Sequence, residues 1–159
     1  MNKLFYENIL NEKIKISSNL LSQNIDYILL ELLKKKIGNK CIKEGYVNKE
    51  TISIIKRSIG EIDTNNLNSD IIFNILYKAD ICIPFQNNII DCIVKDNNKF
   101  GIIAENNPLE IILAKQHHND RTFYNEINKN DKILIKIIDK SFNLFDDKII
   151  IIGKYIKKI

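Results

Sequence analysis

The chain has 159 residues, 45% hydrophobic and 28% charged, which suits one compact domain or two small ones around a buried core and argues against disorder. Its net charge of +4 permits a polyanionic partner, yet only Arg57 and Arg121 accompany 22 lysines, so an arginine-rich DNA-reading face is not expected. Ile, Asn and Lys dominate throughout, as an A/T-rich genome imposes, so the lysine excess alone carries no nucleic-acid signal. Leu4-Phe5-Tyr6 and Ile14-Lys15-Ile16 read as short extended pieces. Leu21, Ile25, Ile28, Leu29, Leu32 and Leu33 then recur at spacings of three and four, which predicts an amphipathic helix. Ser18 or Ser22 is its expected N-cap, Asp26 suits the positive end of its dipole, Lys34-Lys35-Lys36 suit the last turn, and Gly38 is the expected left-handed stop.

From residue 40 the period shortens to two. Cys41 to Val47 predicts a strand interrupted by Gly45, residues 51–59 a longer strand, 64–70 a loop and 71–77 another strand, so the first half is expected to be α+β. Pro84 suits a domain junction. Beyond it, apolar stretches at 89–95, 100–104, 109–114, 132–138 and 148–156 are separated by Asn97-Asn98, Asn106-Asn107, Asn130-Asp131 and Asp146-Asp147. Five short strands with a longer connection over 115–130 have the rhythm of a five-stranded OB barrel. The expected domains are 1–83 and 84–159.

Specific segments resemble a known family. Ile89 to Lys95, followed by Asn98-Lys99-Phe100-Gly101-Ile102-Ile103-Ala104-Glu105, resembles the first hairpin of an S1 domain. Cys41 to Val47, with its Gly45-Tyr46-Val47, is similar to the tip region where a Gly-aromatic-Val segment closes the first domain of the polymerase stalk subunit, and Tyr77-Lys78-Ala79-Asp80-Ile81-Cys82-Ile83-Pro84-Phe85 to that family's crossing segment. In order and spacing these motifs resemble the stalk subunit of archaeal and eukaryotic-type DNA-directed RNA polymerases, the seventh-subunit family. The first domain looks trimmed and the tip reads Lys43-Glu44-Gly45, departures that suggest a divergent viral member.

The resemblance implies a non-catalytic subunit that docks near the polymerase clamp, pairs with a small helical stalk partner and guides single-stranded nascent RNA. Docking would fall to Lys43, Gly45, Tyr46, Val47 and Lys49. The RNA face would take Phe100 as a stacking aromatic, Lys99 as a phosphate contact, and Lys115, His117, His118 and Arg121 from the long connection. Each has a plainer alternative: Phe100 as a core residue, Lys99 as a solvated lysine, the histidines as loop residues, and the tip as ordinary turn and strand. Adjacent histidines in an extended chain point to opposite faces, so a shared metal is not expected. The rival readings are a free-standing S1-type RNA-binding protein in translation or RNA metabolism, an oligomeric scaffold, and a nuclease using His117.

Asp91, Glu105, Glu110, Asp120, Asp131 and Asp139 form no recognisable catalytic set, and no phosphate-loop, nucleophile-elbow or zinc-protease motif occurs, so neither an active site nor a cofactor is expected. Cys41, Cys82 and Cys92 are odd in number without a CxxC pair, which predicts reduced, buried thiols. No apolar run approaches the ~20 residues that span a bilayer, and Glu7, Asn8 and Asn11 interrupt the start. No membrane partner is expected, and the expected location is nucleus, cytoplasm or virus factory.

Overall fold

The computed structural model describes residues 2–21 and 24–159. The chain divides into two compact units. One comprises the residues up to Phe5, Lys40–Tyr46 and Cys82–Ile159; the other comprises Tyr6–Asn39 and Val47–Ile81. The expected boundary after residue 83 thus stands beside a main junction between Ile81 and Cys82, with two earlier segments grouped with the second half. Cys41 explains one of them. Its side chain is fully buried in the core of the second half, its N–H donates to Asp146 O at 2.7 Å, and its O accepts from Phe145 N at 2.7 Å.

The unit of Tyr6–Asn39 and Val47–Ile81 is mostly sheet. β1 (Phe5–Ser17) is one continuous strand where two short pieces were expected, and it ends in a tight 3-10 turn, Ser18–Leu20. The helix α1 (Ile25–Ile37) follows. β2 (Cys41–Ile42) and β3 (Gly45–Val47) form a hairpin that, except for Val47, groups with the other unit; β4 (Ser53–Arg57) and β5 (Glu61–Ile62) are short, and β6 (Asp70–Cys82) is again 13 residues long. β1 lies beside β6, and β4 and β5 both pair with β6 antiparallel. The expected α+β arrangement therefore reduces to one helix with a sheet that carries most of the unit.

The helix buries Leu29, Leu33 and Ile37, an i, i+4, i+8 row, together with Ile14, Ile16, Phe73, Ile75 and Tyr77 from the strands. Leu21 lies ahead of the helix and is exposed, because helical geometry begins only after Asn24, whose side chain makes no capping hydrogen bond. Ser18 sits in the preceding 3-10 turn, and Ser22 falls outside the described residues. Gly38 has an extended backbone rather than the expected left-handed one, and Asn39 takes the positive φ of 54°. Glycine is still required at 38, since a Cβ there would come within 2.3 Å of Lys34 O. Lys36 Nζ meets Glu12 Oε1 at 2.8 Å and Arg57 pairs with Asp26, tying helix to sheet.

Asp63 anchors the polar loop. Its carboxylate accepts from Lys15 Nζ at 2.6 Å, Asn65 N at 3.1 Å and Asn66 Nδ2 at 3.1 Å, and these bonds hold it below the usual carboxylate range.

The second half closes into a barrel of β7 (Ile89–Asn98), β8 (Gly101–Asn106), β9 (Leu109–Ala114), β10 (Lys132–Ser141) and β11 (Ile149–Lys158). Round the barrel the order is β7-β8-β9-β11-β10 and back to β7. β9 and β11 are parallel and every other pair is antiparallel, so the barrel is mixed and OB-like. Alternation fills it: Ile90, Cys92, Val94, Ile102, Ala104, Ile111, Leu113, Ile133, Ile135, Ile137, Ile149 and Ile151 point inward and are buried. The expected Asp146-Asp147 turn is centred earlier, on Leu144 and Phe145, with Asp146 Oδ2 accepting from Asn143 N at 2.7 Å and Phe145 at φ 67°.

Candidate nucleic-acid interface

The β7–β8 hairpin puts its aromatic outside. Phe100 is 74% exposed in the turn before β8, where its N–H donates to Asn98 Oδ1 at 2.9 Å. Lys99 Nζ lies 5.1 Å from the centre of its ring. The plainer alternative for Phe100, a core residue at a strand start, does not apply. The next residue explains the geometry. Gly101 has φ 154° and lies against β9 so closely that a Cβ would sit 2.2 Å from Leu113 O. Only glycine lets the hairpin close there, and the closure leaves Phe100 standing clear of the wall.

Behind Phe100 runs an outward apolar row. Ile103 of β8 pairs with Ile112 of β9, which pairs in parallel register with Ile152 of β11. Phe100, Ile103, Ile112, Ala114 and Gln116 line a groove of ≈ 360 Å³. A flat ring beside an apolar groove can take a nucleobase face irrespective of base identity.

The long connection of 115–130 is pinned, not loose. It contains two 3-10 turns, Lys115–His117 and Thr122–Asn125, and Asn97 Nδ2 of β7 donates to Tyr124 O at 2.6 Å and Ile127 O at 3.0 Å. Of the expected RNA-face residues here, His117 and Arg121 are exposed, whereas His118 is only 5% exposed. Its Nε2 accepts from Tyr155 N at 3.0 Å, so that nitrogen carries no proton. Its Nδ1 is 2.9 Å from Ala114 O and 3.0 Å from Tyr124 Oη, whose own hydroxyl donates to Leu113 O at 3.0 Å. Nδ1 is therefore the protonated nitrogen, and the ring has none left for a ligand. His118 staples the connection to β9 and β11. Phe123 stacks on Tyr155 at 4.3 Å over it, and Lys115 Nζ rests 5.2 Å from the Tyr124 ring centre.

The expected docking residues separate. Lys43 is exposed in the two-residue loop of the β2–β3 hairpin and Lys49 is exposed in a 3-10 turn, while Gly45 and Val47 are buried. Neither Lys43 nor Glu44 has a positive φ; Gly45, at 150°, takes up the turn. Tyr46 is half-buried and packs on the barrel core, and that burial raises its hydroxyl above the usual range. Lys43, Gly45 and Tyr46 belong to the barrel unit, Val47 and Lys49 to the other.

Four of the six carboxylates singled out are occupied locally: Glu105 with Lys95 at 2.5 Å, Asp91 with Lys132 at 3.1 Å, Asp131 with Lys158 at 2.6 Å, and Asp120 with Thr122. Among the described residues no three His, Cys, Asp or Glu side chains gather as a metal site would need, and no helix is long and apolar enough to cross a membrane. Sequence reading passed over the Ile103–Ile112–Ile152 row and the Phe123–Tyr155 stack. The first is visible only once strand register is known; the second joins residues 32 positions apart.

No family model matches the chain. It is 29% identical over 163 aligned residues to the protein described as "Putative DNA-directed RNA polymerase subunit L376" of Acanthamoeba polyphaga mimivirus, a match that covers 95% of this chain and 81% of that protein.

Proposed function

We propose that this chain is a non-catalytic subunit of a multisubunit DNA-dependent RNA polymerase, placed at the stalk, which docks on the polymerase core near the clamp and contacts nascent single-stranded RNA through its S1-like barrel. The observation that carries this reading is the similarity to the mimiviral protein, which extends over nearly the whole chain and so takes in both units rather than the barrel alone. The exposed Phe100 and its groove on a closed five-stranded barrel support the RNA contact. The exposed lysines of the tip, Lys43 and Lys49, are the docking groups that solvent and a partner can reach. A small helical protein is the expected stalk partner.

The test is purification of the tagged chain from cells or virus factories where it is made. Recovery with the large polymerase subunits through a high-salt wash is expected. Recovery without any of them would overturn the reading and leave a free-standing S1-type RNA-binding protein, which the Phe100 groove favours by itself. Reversing the tip charges, Lys43→Glu with Lys49→Glu, is expected to cut polymerase recovery at least severalfold without changing RNA affinity.

A further inference from the structure

The barrel wall beyond β9 carries a charge arrangement that its own fold disfavours. Lys136 of β10 and Lys154 of β11 are direct cross-strand partners, and both are exposed. Like charges at opposed positions repel and destabilise the pairing. On its other side Lys136 pairs with Ile89 of β7, and the next outward residue of that strand, Asp91, is paired with Lys132 at 3.1 Å. Neither ammonium is in an ion pair among the described residues.

The same barrel shows how it treats the opposite case. Glu105 and Glu110 also face each other, across β8 and β9, and there Lys95 sits 2.5 Å from Glu105. Lys132 and Lys158, together at one end of the same two strands, each have an aspartate. The Lys136–Lys154 pair alone among these is left unneutralised.

Its position is informative. Ile152 stands at the end of the Ile103–Ile112–Ile152 row, and Lys154 lies two residues further along β11 on the same outward face. The outward wall leads from Phe100 past three isoleucines to two cations, three strand spacings of about 4.8 Å around the barrel, with Asp139 opposite Ile152 and Asp120 beside Lys154 as the carboxylates nearest that end. An aromatic at one end and two opposed ammonium groups without an ion pair at the other match a single strand laid across the wall, with a base on Phe100 and backbone phosphates further along.

We infer that Lys136 and Lys154 form a phosphate-binding site for the backbone of single-stranded RNA, continuous with the Phe100 groove. The inference rests on the RNA-contact reading above and names a part of that surface the stacking argument does not reach. Bound phosphates would relieve the repulsion that the free protein bears.

The experiment measures binding of the full-length protein to a fluorescent oligouridylate between 50 and 200 mM salt. Each phosphate contact to a single strand contributes about 0.7 to the slope of log affinity against log salt. Lys136→Gln with Lys154→Gln is therefore expected to make the slope shallower by about 1.4, so that its deficit against wild type grows about sevenfold from 200 down to 50 mM. Lys136→Arg with Lys154→Arg is expected to keep the wild-type slope. A matched removal of two charges elsewhere, Lys34→Gln with Lys56→Gln, is expected to leave it unchanged. If wild type binds and the Lys136/Lys154 glutamine variant keeps its slope, or the Lys34/Lys56 variant loses as much, the phosphate site is refuted while the RNA contact stands. If wild type does not bind the oligonucleotide at all, the RNA contact itself falls, and the phosphate site with it.

Discussion

The two outward faces of the barrel, β8–β9 and β10–β11, are built from the same alternating strands yet offer a ligand different chemistry. On β8–β9 the outward groups are Phe100, Ile103 and Ile112, whose attraction for a base is dispersive and insensitive to salt. On β10–β11 they are Lys136 and Lys154, whose attraction for phosphate is Coulombic and fades as salt is added. If RNA binds as proposed, the contrast divides the grip around the barrel, and the two contributions would separate by salt dependence.

The largest expected effect breaks the aromatic face at its root. Gly101→Val places a Cβ against Leu113 O on a backbone that side chains rarely adopt, and is expected to destabilise the barrel unit by roughly 3–5 kcal/mol in urea unfolding. Wild-type stability in this variant would show that the hairpin can lift from β9. Next, Phe100→Ala is expected to weaken oligouridylate binding by about 1–3 kcal/mol with no change of salt slope and no loss of fold. A shallower slope would mean that Phe100 acts by positioning Lys99, and the division between faces would be lost.

The smallest effect should leave both faces alone. Asp63 lies in the other unit, and its carboxyl is held below its ordinary 3.8 by the bond to Lys15 and the Asn65 and Asn66 donors. A depressed folded-state value stabilises above the ordinary one, and the gain disappears as pH falls through the carboxylate range. Lys15, raised above 10.5 by the same bond, adds stability that is lost as pH rises past that value. Unfolding of the Tyr6–Ile81 segments should therefore be easiest at the acid and alkaline extremes, and Asp63→Asn should flatten both limbs. An unaltered profile would place the pH dependence elsewhere.

Much of the barrel was legible because its strands alternate cleanly and Asn or Asp doublets punctuate them; the observed strands start within a residue of the stretches read from sequence, and four run on by two to three residues. Phe100 and Gly101 were legible for the same reason, since a glycine inside an apolar strand announces close backbone approach. β1 was not, because Asn8, Glu12 and Lys13 on a half-exposed strand look like a break. The tip read as one strand, and its hairpin form depends on backbone bonds to residues 145 and 146, far along the chain. His118 read as a surface group because the partners that satisfy its buried ring, Ala114 O, Tyr124 and Tyr155, meet it only in the fold. Lys136 and Lys154 were two lysines among many until register set them face to face.

The three cysteines have a practical consequence. Cys41, Cys82 and Cys92 all lie in the barrel unit, and burial pushes their thiols up to about 11, about 12 and about 12. A closed barrel offers an alkylating reagent almost no thiolate, so label can enter only when strands part. The rate of labelling therefore serves as an internal clock for breathing of this unit. A ligand strand that straps the wall should slow that clock, and a ligand that merely touches the hairpin should not.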